Sequence, residues 1–263
     1  MRKYFCIFKI NLVENARCIS SSLFELLFFA LIVFVLASMW NHVFVGPESI
    51  KGYNYDQILW YTILAESFWF GMNVQHYTSE VHYDIHSGNI MMKINKPYNY
   101  VFFTITKYIS DIFLKVLIFL LVGIVTGIIF VGPISLFSIS DIIFLIPVYA
   151  LAVIIHSTGI VAVNLFSFWV AEIRPIVWSY MKIMIMLGLI FPFEMLPKLL
   201  QPFAKCMPVY ACIYSPMKLT LNFSQGLFLQ TIILQISWII GLTVLALYIY
   251  NLGIKKINAN GEV

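Results

Sequence analysis

Val116-Leu117-Ile118-Phe119-Leu120-Leu121-Val122 is an unbroken apolar run. A strand of a membrane β-barrel alternates apolar and polar side chains, and a surface helix keeps one wet face. This run does neither. It sits inside a longer apolar segment, residues 100–131, which exceeds the about 20 residues that a helix needs to cross a bilayer. Lipid offers the backbone no hydrogen-bond partner, so such a segment has to be a helix that pairs its own amides. Composition extends the argument to the whole chain. Of 263 residues, 61% are hydrophobic and 11% charged, against about 45–50% and about 25% in soluble domains. A water-soluble globule cannot hide that much apolar surface. Soluble enzymes, disordered chains and nucleic-acid binders are excluded, and the net charge of +4 has to be read by position.

The same hydropathy reading yields six spans in an all-α integral membrane protein: 21–42, 57–75, 100–131, 141–166, 178–196 and 228–251. The whole chain, 1–263, reads as one transmembrane domain. Six spans put both termini on one side, and positive residues choose that side. With the N-terminus inside, the inner segments hold Arg2, Lys3, Lys9, Arg17, Lys93, Lys96, Arg174, Lys255 and Lys256. The outer loops hold Lys51, Lys198, Lys205 and Lys218. Both termini are therefore expected in the cytoplasm of a multi-pass protein of the cell membrane. The opening Met-Arg-Lys imitates a signal peptide, but Lys9, Asn11, Glu14 and Arg17 interrupt any apolar core, so the segment is read as retained.

Three pieces do not span. Residues 1–20 place Phe5, Phe8 and Leu12 at helical spacing among basic residues, the pattern of an amphipathic helix lying on the inner membrane face. Residues 76–97 form a polar inner loop. Gly88 there suits a chain reversal or close packing, and Pro97 ends the loop ahead of span three. Residues 197–227 form an outer loop too apolar for water, punctuated by Pro197, Pro202, Pro208 and Pro216. Apolar stretches of about 10–14 residues read as re-entrant or interfacial half-helices.

Taken in order, these pieces resemble the permease subunit of a bacterial ABC-2-type (type V) ABC exporter. The matching residues are Ser87-Gly88-Asn89-Ile90 followed by Ile94-Asn95-Lys96-Pro97, then Phe168-Trp169-Val170-Ala171-Glu172. Gly188-Leu189-Ile190-Phe191-Pro192-Phe193-Glu194-Met195-Leu196-Pro197 follows, then Met207-Pro208 and Ser215-Pro216. The chain departs from the pattern where it carries Asp84 and His86 in place of a basic residue, and Lys96 in place of an arginine before the proline. The resemblance implies that 76–97 is a coupling helix touching a separate ATPase, with Asp84, His86, Ser87, Gly88, Asn89, Lys93, Lys96 and Pro97 at the contact. It implies a re-entrant hairpin in the outer loop, marked by Pro192, Pro197, Pro208 and Pro216. It also implies two copies of the ATPase, and a second permease, identical or homologous, enclosing the path with this one in the lipid bilayer.

No G-x-x-x-x-G-K-[ST] loop occurs. The chain is therefore expected to hold no cofactor and to catalyse nothing, with ATP and Mg on the partner ATPase. Gly123-x-x-x-Gly127 inside span three is a small-residue pattern for close helix packing. Charge inside the spans is expensive. Glu66 lies in span two, and Lys107, Asp111 and Lys115 share one face of span three. They read either as a polar lining of the path or as structural pairs, with Lys115 the expected partner of Glu66. His82 and His86 stand i, i+4, but no spacing fixes a third metal ligand. Cys206 and Cys212 read as a bridge or as two buried thiols.

The favoured expectation is the membrane permease of an ATP-driven exporter. Its cargo is expected to be hydrophobic or amphipathic, such as a drug, peptide, lipid or glycolipid. The competing readings are an ion-coupled secondary transporter or channel using Glu66 or Asp111, and a polytopic membrane enzyme drawing on His156, Glu66 and Asp111.

Overall fold

The structure, a computed structural model, describes residues 2–17, 23–72, 76–133 and 139–260. Among them every regular element is helical, apart from an isolated bridge between Ile50 and Tyr53. The α-helices are α1 (Arg2–Arg17), α2 (Leu23–Val43), α3 (Tyr55–Met72), α4 (His76–His86), α5 (Asn89–Ile94) and α6 (Tyr100–Phe130). They continue as α7 (Ile139–Asn164), α8 (Arg174–Met184), α9 (Gln201–Lys205), α10 (Ser215–Leu221) and α11 (Gln225–Asn260).

Four helical stretches are long and apolar enough to cross a membrane: Phe24–Val43, Tyr100–Phe130, Asp141–Phe168 and Gln225–Ile257. The second and fifth expected spans, 57–75 and 178–196, are not among them, for different reasons. α3 carries Asp56, Thr62, Glu66 and Ser67, yet every residue from Ile58 to Trp69 is buried. It is the central helix, packed against α2, α6 and α10, with Phe68 and Trp69 against Tyr149 and His156 of α7. A helix that meets protein on all sides has no need of a lipid-compatible face, so its hydropathy falls.

The fifth expected span departs from helical geometry before its end. α8 opens into a π-turn at Ile185–Leu189, and Pro192 is already extended at ψ 146°. Proline disfavours helix in the residue before it. Tyr61 donates to the Gly188 carbonyl at 2.6 Å, pairing a group near the break. A Cβ on Gly188 would lie 2.6 Å from a methyl of Val209, so only glycine lets the two chains approach here.

The small-residue pattern on α6 is a packing seam with α3. Cβ atoms on Gly123 and Gly127 would lie 1.9 Å from Ser67 Oγ and 2.2 Å from the Trp60 ring. Gly71 of α3 answers from the other side, against the Val116 backbone.

The outer-loop prolines mark a helix inserted into the bundle. Pro216 stands just inside α10, directly after a π-turn at Tyr210–Tyr214. The widened turn sends the Ser215 amide to the Tyr210 carbonyl rather than to that of Ala211. Gln235 of α11, itself fully buried, donates to Ala211 O at 3.1 Å and to Val148 O at 3.0 Å. Cys212 is buried and donates to Ala152 O, while Cys206 is exposed. Both are free thiols, so the bridge reading falls.

The expected stripe of α1 is divided between protein and surroundings. It lies along the first turns of α6, with Tyr4 against Phe102 and Phe8 against Phe113. Phe5, which the spacing grouped with Phe8, is 68% exposed. Residues 18–20 of the expected amphipathic segment lie outside the described residues.

The seam gives a direct test. Gly123→Val should lower stability by about 1–3 kcal/mol through overpacking. Gly241→Ala, where an added Cβ meets nothing within 4 Å, should be neutral or stabilising by up to about 1 kcal/mol. Thermal unfolding of both variants in the same detergent checks the contrast.

Candidate functional site

The expected coupling loop is a helical hairpin. α4 and α5 meet at Gly88, whose φ of 76° is the left-handed conformation that glycine adopts without strain. Asp84, buried at the inner side of the hairpin, accepts from Lys93 Nζ at 2.5 Å and from Tyr100 Oη at 2.8 Å. Lys107 of α6 donates to both oxygens of Glu80, at 2.5 and 2.7 Å. Lys93 also lies 3.8 Å from Glu80 and 5.9 Å above the Phe103 ring. Charged groups from α4, α5 and α6 thus close into one network, which holds the hairpin on the entry of α6. Asn99 caps that entry by accepting from the amides of Val101 and Phe102.

The N-terminal helix joins the same surface. Lys3 donates to the Pro97 carbonyl, and the Asn99 amide donates to Tyr4 Oη at 3.1 Å. On the other flank, His86 Nε2 sits 3.2 Å from Val170 O, and His82 Nδ1 3.4 Å from Ser167 Oγ. The two imidazole rings lie 4.2 Å apart. Burial, then the neighbouring His86, hold the His82 ring below its ordinary value. Among the described residues no group of three metal-ligating side chains forms, and the side chain of His76 lies outside them.

Of the eight residues expected at the motor contact, Asp84 faces inward and Lys93 is engaged with it. His86, Ser87, Lys96 and Pro97 are exposed. Tyr83 and Met92, at 62% and 65% exposure, share this outer surface. Sequence reasoning passed over both, together with Glu80 and Tyr100, because single polar or aromatic residues in a polar loop carry no spacing signal.

The expected Glu66–Lys115 pair is not formed. Lys115 Nζ lies 2.6 Å from Glu25 of α2. Asp111 accepts from Asn15 of α1 at 2.8 Å, and Lys107 goes to Glu80. The reason is rotational. Trp60, Ser67 and Gly71 mark the stripe of α3 that faces α6, and Glu66 is turned about 100° from Ser67. Glu66 is only 4% exposed and forms no ion pair among the described residues. His156 is fully buried, with Nε2 3.3 Å from Tyr108 Oη and Trp69 against its ring. It serves packing and hydrogen bonding inside the bundle.

At the far end, Glu194 gathers three chain segments. Its carboxylate accepts from Tyr53 Oη at 3.0 Å, from Lys218 Nζ at 2.5 Å and from Tyr214 Oη. Pro192 and Pro197 bracket its turn: Pro192 O accepts from the Met195 amide and Pro197 O from the Leu200 amide.

The family model described as "ABC-2 family transporter protein" matches residues 24–261. No curated protein matches the chain.

Two measurements test the charge assignments. In double-mutant cycles on stability, Glu25→Gln and Lys115→Gln should couple by about 0.5–3 kcal/mol, and Glu66→Gln with Lys115→Gln should add within error. Neutral His82 contributes stability that is present above the ordinary histidine value of 6.5 and is lost as pH falls below it, because the unfolded chain binds the proton more readily. Protection factors of the α4 amides, with the intrinsic exchange rate at each pH divided out, should therefore fall below that pH, and His82→Gln should remove the fall.

Proposed function

Because the chain belongs to the ABC-2 transporter family, we propose that it is the permease subunit of an ATP-driven exporter. It works as a dimer with an identical or homologous permease and is driven by two copies of a separate ATPase subunit. ATP and Mg bind on that motor, and this chain contributes no catalytic residue. α2, α3, α6, α7, α8 with its π-turn, and α11 are the six crossings in the cell membrane, with both termini cytoplasmic. Residues 197–227 form the re-entrant hairpin on the outer side. The cargo is a hydrophobic or amphipathic molecule.

The observation that carries this reading is the patch built by α1, α4 and α5. The N-terminal helix and the α4–α5 hairpin, distant from each other in sequence, are tied together and to the entry of α6 through Lys3–Pro97, Asn99–Tyr4, Lys93–Asp84 and Lys107–Glu80. Such a patch moves as one body. A partner pressing on the exposed Tyr83, His86, Ser87 and Met92 displaces α6 and, through the glycine seam, α3. Sliding of packed helices of this kind passes a push across a bundle without unfolding it. The segregation of charge agrees: Lys3, Lys93, Lys96 and Lys107 lie at this end, whereas Lys51, Lys205 and Lys218 lie at the other.

A second reading draws on one feature. Glu66 is a buried carboxyl without an ion-pair partner among the described residues, and an ion-coupled transporter needs such a group.

Co-expression with the cognate ATPase separates the two. In proteoliposomes, transport should require ATP, survive Glu66→Gln, and fall to background in Gly88→Trp, where a bulky residue meets a positive φ and a closed hairpin. Transport that runs without ATP on a proton gradient, or that is unaffected by Gly88→Trp, would falsify the coupling assignment.

A further inference from the structure

The cluster around Glu194 has the chemistry of an ammonium site. Phe193, Tyr210 and Tyr214 stand together, with ring centroids 5.1 Å (Phe193–Tyr210), 5.5 Å (Phe193–Tyr214) and 4.8 Å (Tyr210–Tyr214) apart. Aromatic faces carry negative potential, and a carboxylate beside them adds a full charge. Two of the chain's own ammonium groups already use this environment. Lys218 Nζ lies 5.3 Å from the Tyr214 centroid and 2.5 Å from Glu194, and Lys205 Nζ lies 5.4 Å from the Phe193 centroid. A tethered cation seated at the site shows what kind of group it accepts.

The site is also reachable and continuous with space for a tail. The side chains of Lys218 and Glu194 are 34% and 29% exposed. Tyr210, Tyr214 and Lys218 also line a cavity of about 250 Å³ between α10 and α11, whose other walls are Leu219, Leu227 and Leu234 with Ser215, Gln230 and Thr231. An anionic head group gains little here, because Glu194 already neutralises the Lys218 charge. A cationic head group can replace Lys218 on Glu194, while the lysine, on its flexible stem, swings out to water.

We propose that the Glu194 cluster and the adjoining cavity bind an amphiphile with an organic ammonium head group, and that Lys218 is the internal cation it displaces. This rests on the transport reading and narrows the cargo to cationic amphiphiles.

The test uses the full chain in lipid nanodiscs without any motor. The probe is radiolabelled decyltrimethylammonium, with decyl sulfate as the anion of matched tail and empty nanodiscs as background. Lys218→Met should bind the cation about tenfold more tightly than the native chain, and adding Glu194→Gln should cost about tenfold again. A purely structural ion pair predicts no gain from Lys218→Met, and an anion site predicts a loss. Either result, or a preference for decyl sulfate, overturns the proposal. A second readout needs no variant: saturating decyltrimethylammonium should raise acetylation of Lys218 by an amine-reactive ester, read by mass spectrometry, and unchanged reactivity overturns the proposal equally. Because no ATPase is present, failure here leaves ATP-driven export to be judged by the co-expression experiment alone.

Discussion

A polar group carried into a lipid-facing bundle has to find its partner within the protein, and much of this architecture answers to that rule. The break around Pro216 is the clearest case. The widened turn before it diverts the Ser215 amide from the Ala211 carbonyl, and Gln235 reaches over from α11 to pair that carbonyl. The end of α8 follows the same logic, where Tyr61 pairs with the Gly188 carbonyl beside the π-turn. On the α2–α3 contact, Trp40 Nε1 donates to Thr62 Oγ1 at 3.1 Å. Each irregularity is thus joined to a side chain from another helix, so irregular backbone and helix association come as one requirement.

α3 gathers these links. It is about 27 Å long at 1.5 Å per residue, buried along its length, and sealed to α6 through Gly71, Gly123 and Gly127. Tyr53, just before it, holds Glu194 at one end of the molecule. α4, after it, carries Glu80 and Asp84 into the charge network at the other. A central helix thus joins a polar cluster at each end, one at the α4–α5 hairpin and one around Glu194.

Much of the helix content was legible in residue order. Long apolar runs such as 116–122 leave no alternative to helix in lipid, and Gly88 and Pro97 marked the hairpin and its end correctly. The pattern Gly123-x-x-x-Gly127 announced a close contact but not its partner. Charge pairing was the least legible part. Lys107, Asp111 and Lys115 share a helical face, and spacing suggested that they serve one another or Glu66. In the fold they reach outward to Glu80, Asn15 and Glu25, because the rotation of α3 and α6 about their own axes decides which side chains meet. Glu194 stood inside the quoted stretch 188–197, but nothing in its spacing pointed to Tyr53, Tyr214 or Lys218 as its partners.

The amino-acid order by itself determined the solvent of this protein, its helical class, and the places where helices break, because hydropathy, glycine and proline act within a few residues of themselves. The tertiary structure alone decided that the helix carrying Glu66 and Ser67 is the central one, that Lys115 meets Glu25, and that Tyr53, Glu194, Tyr214 and Lys218 converge. These are contacts between residues as many as 141 positions apart in the sequence, and their geometry depends on helix rotation and packing, which no local pattern encodes.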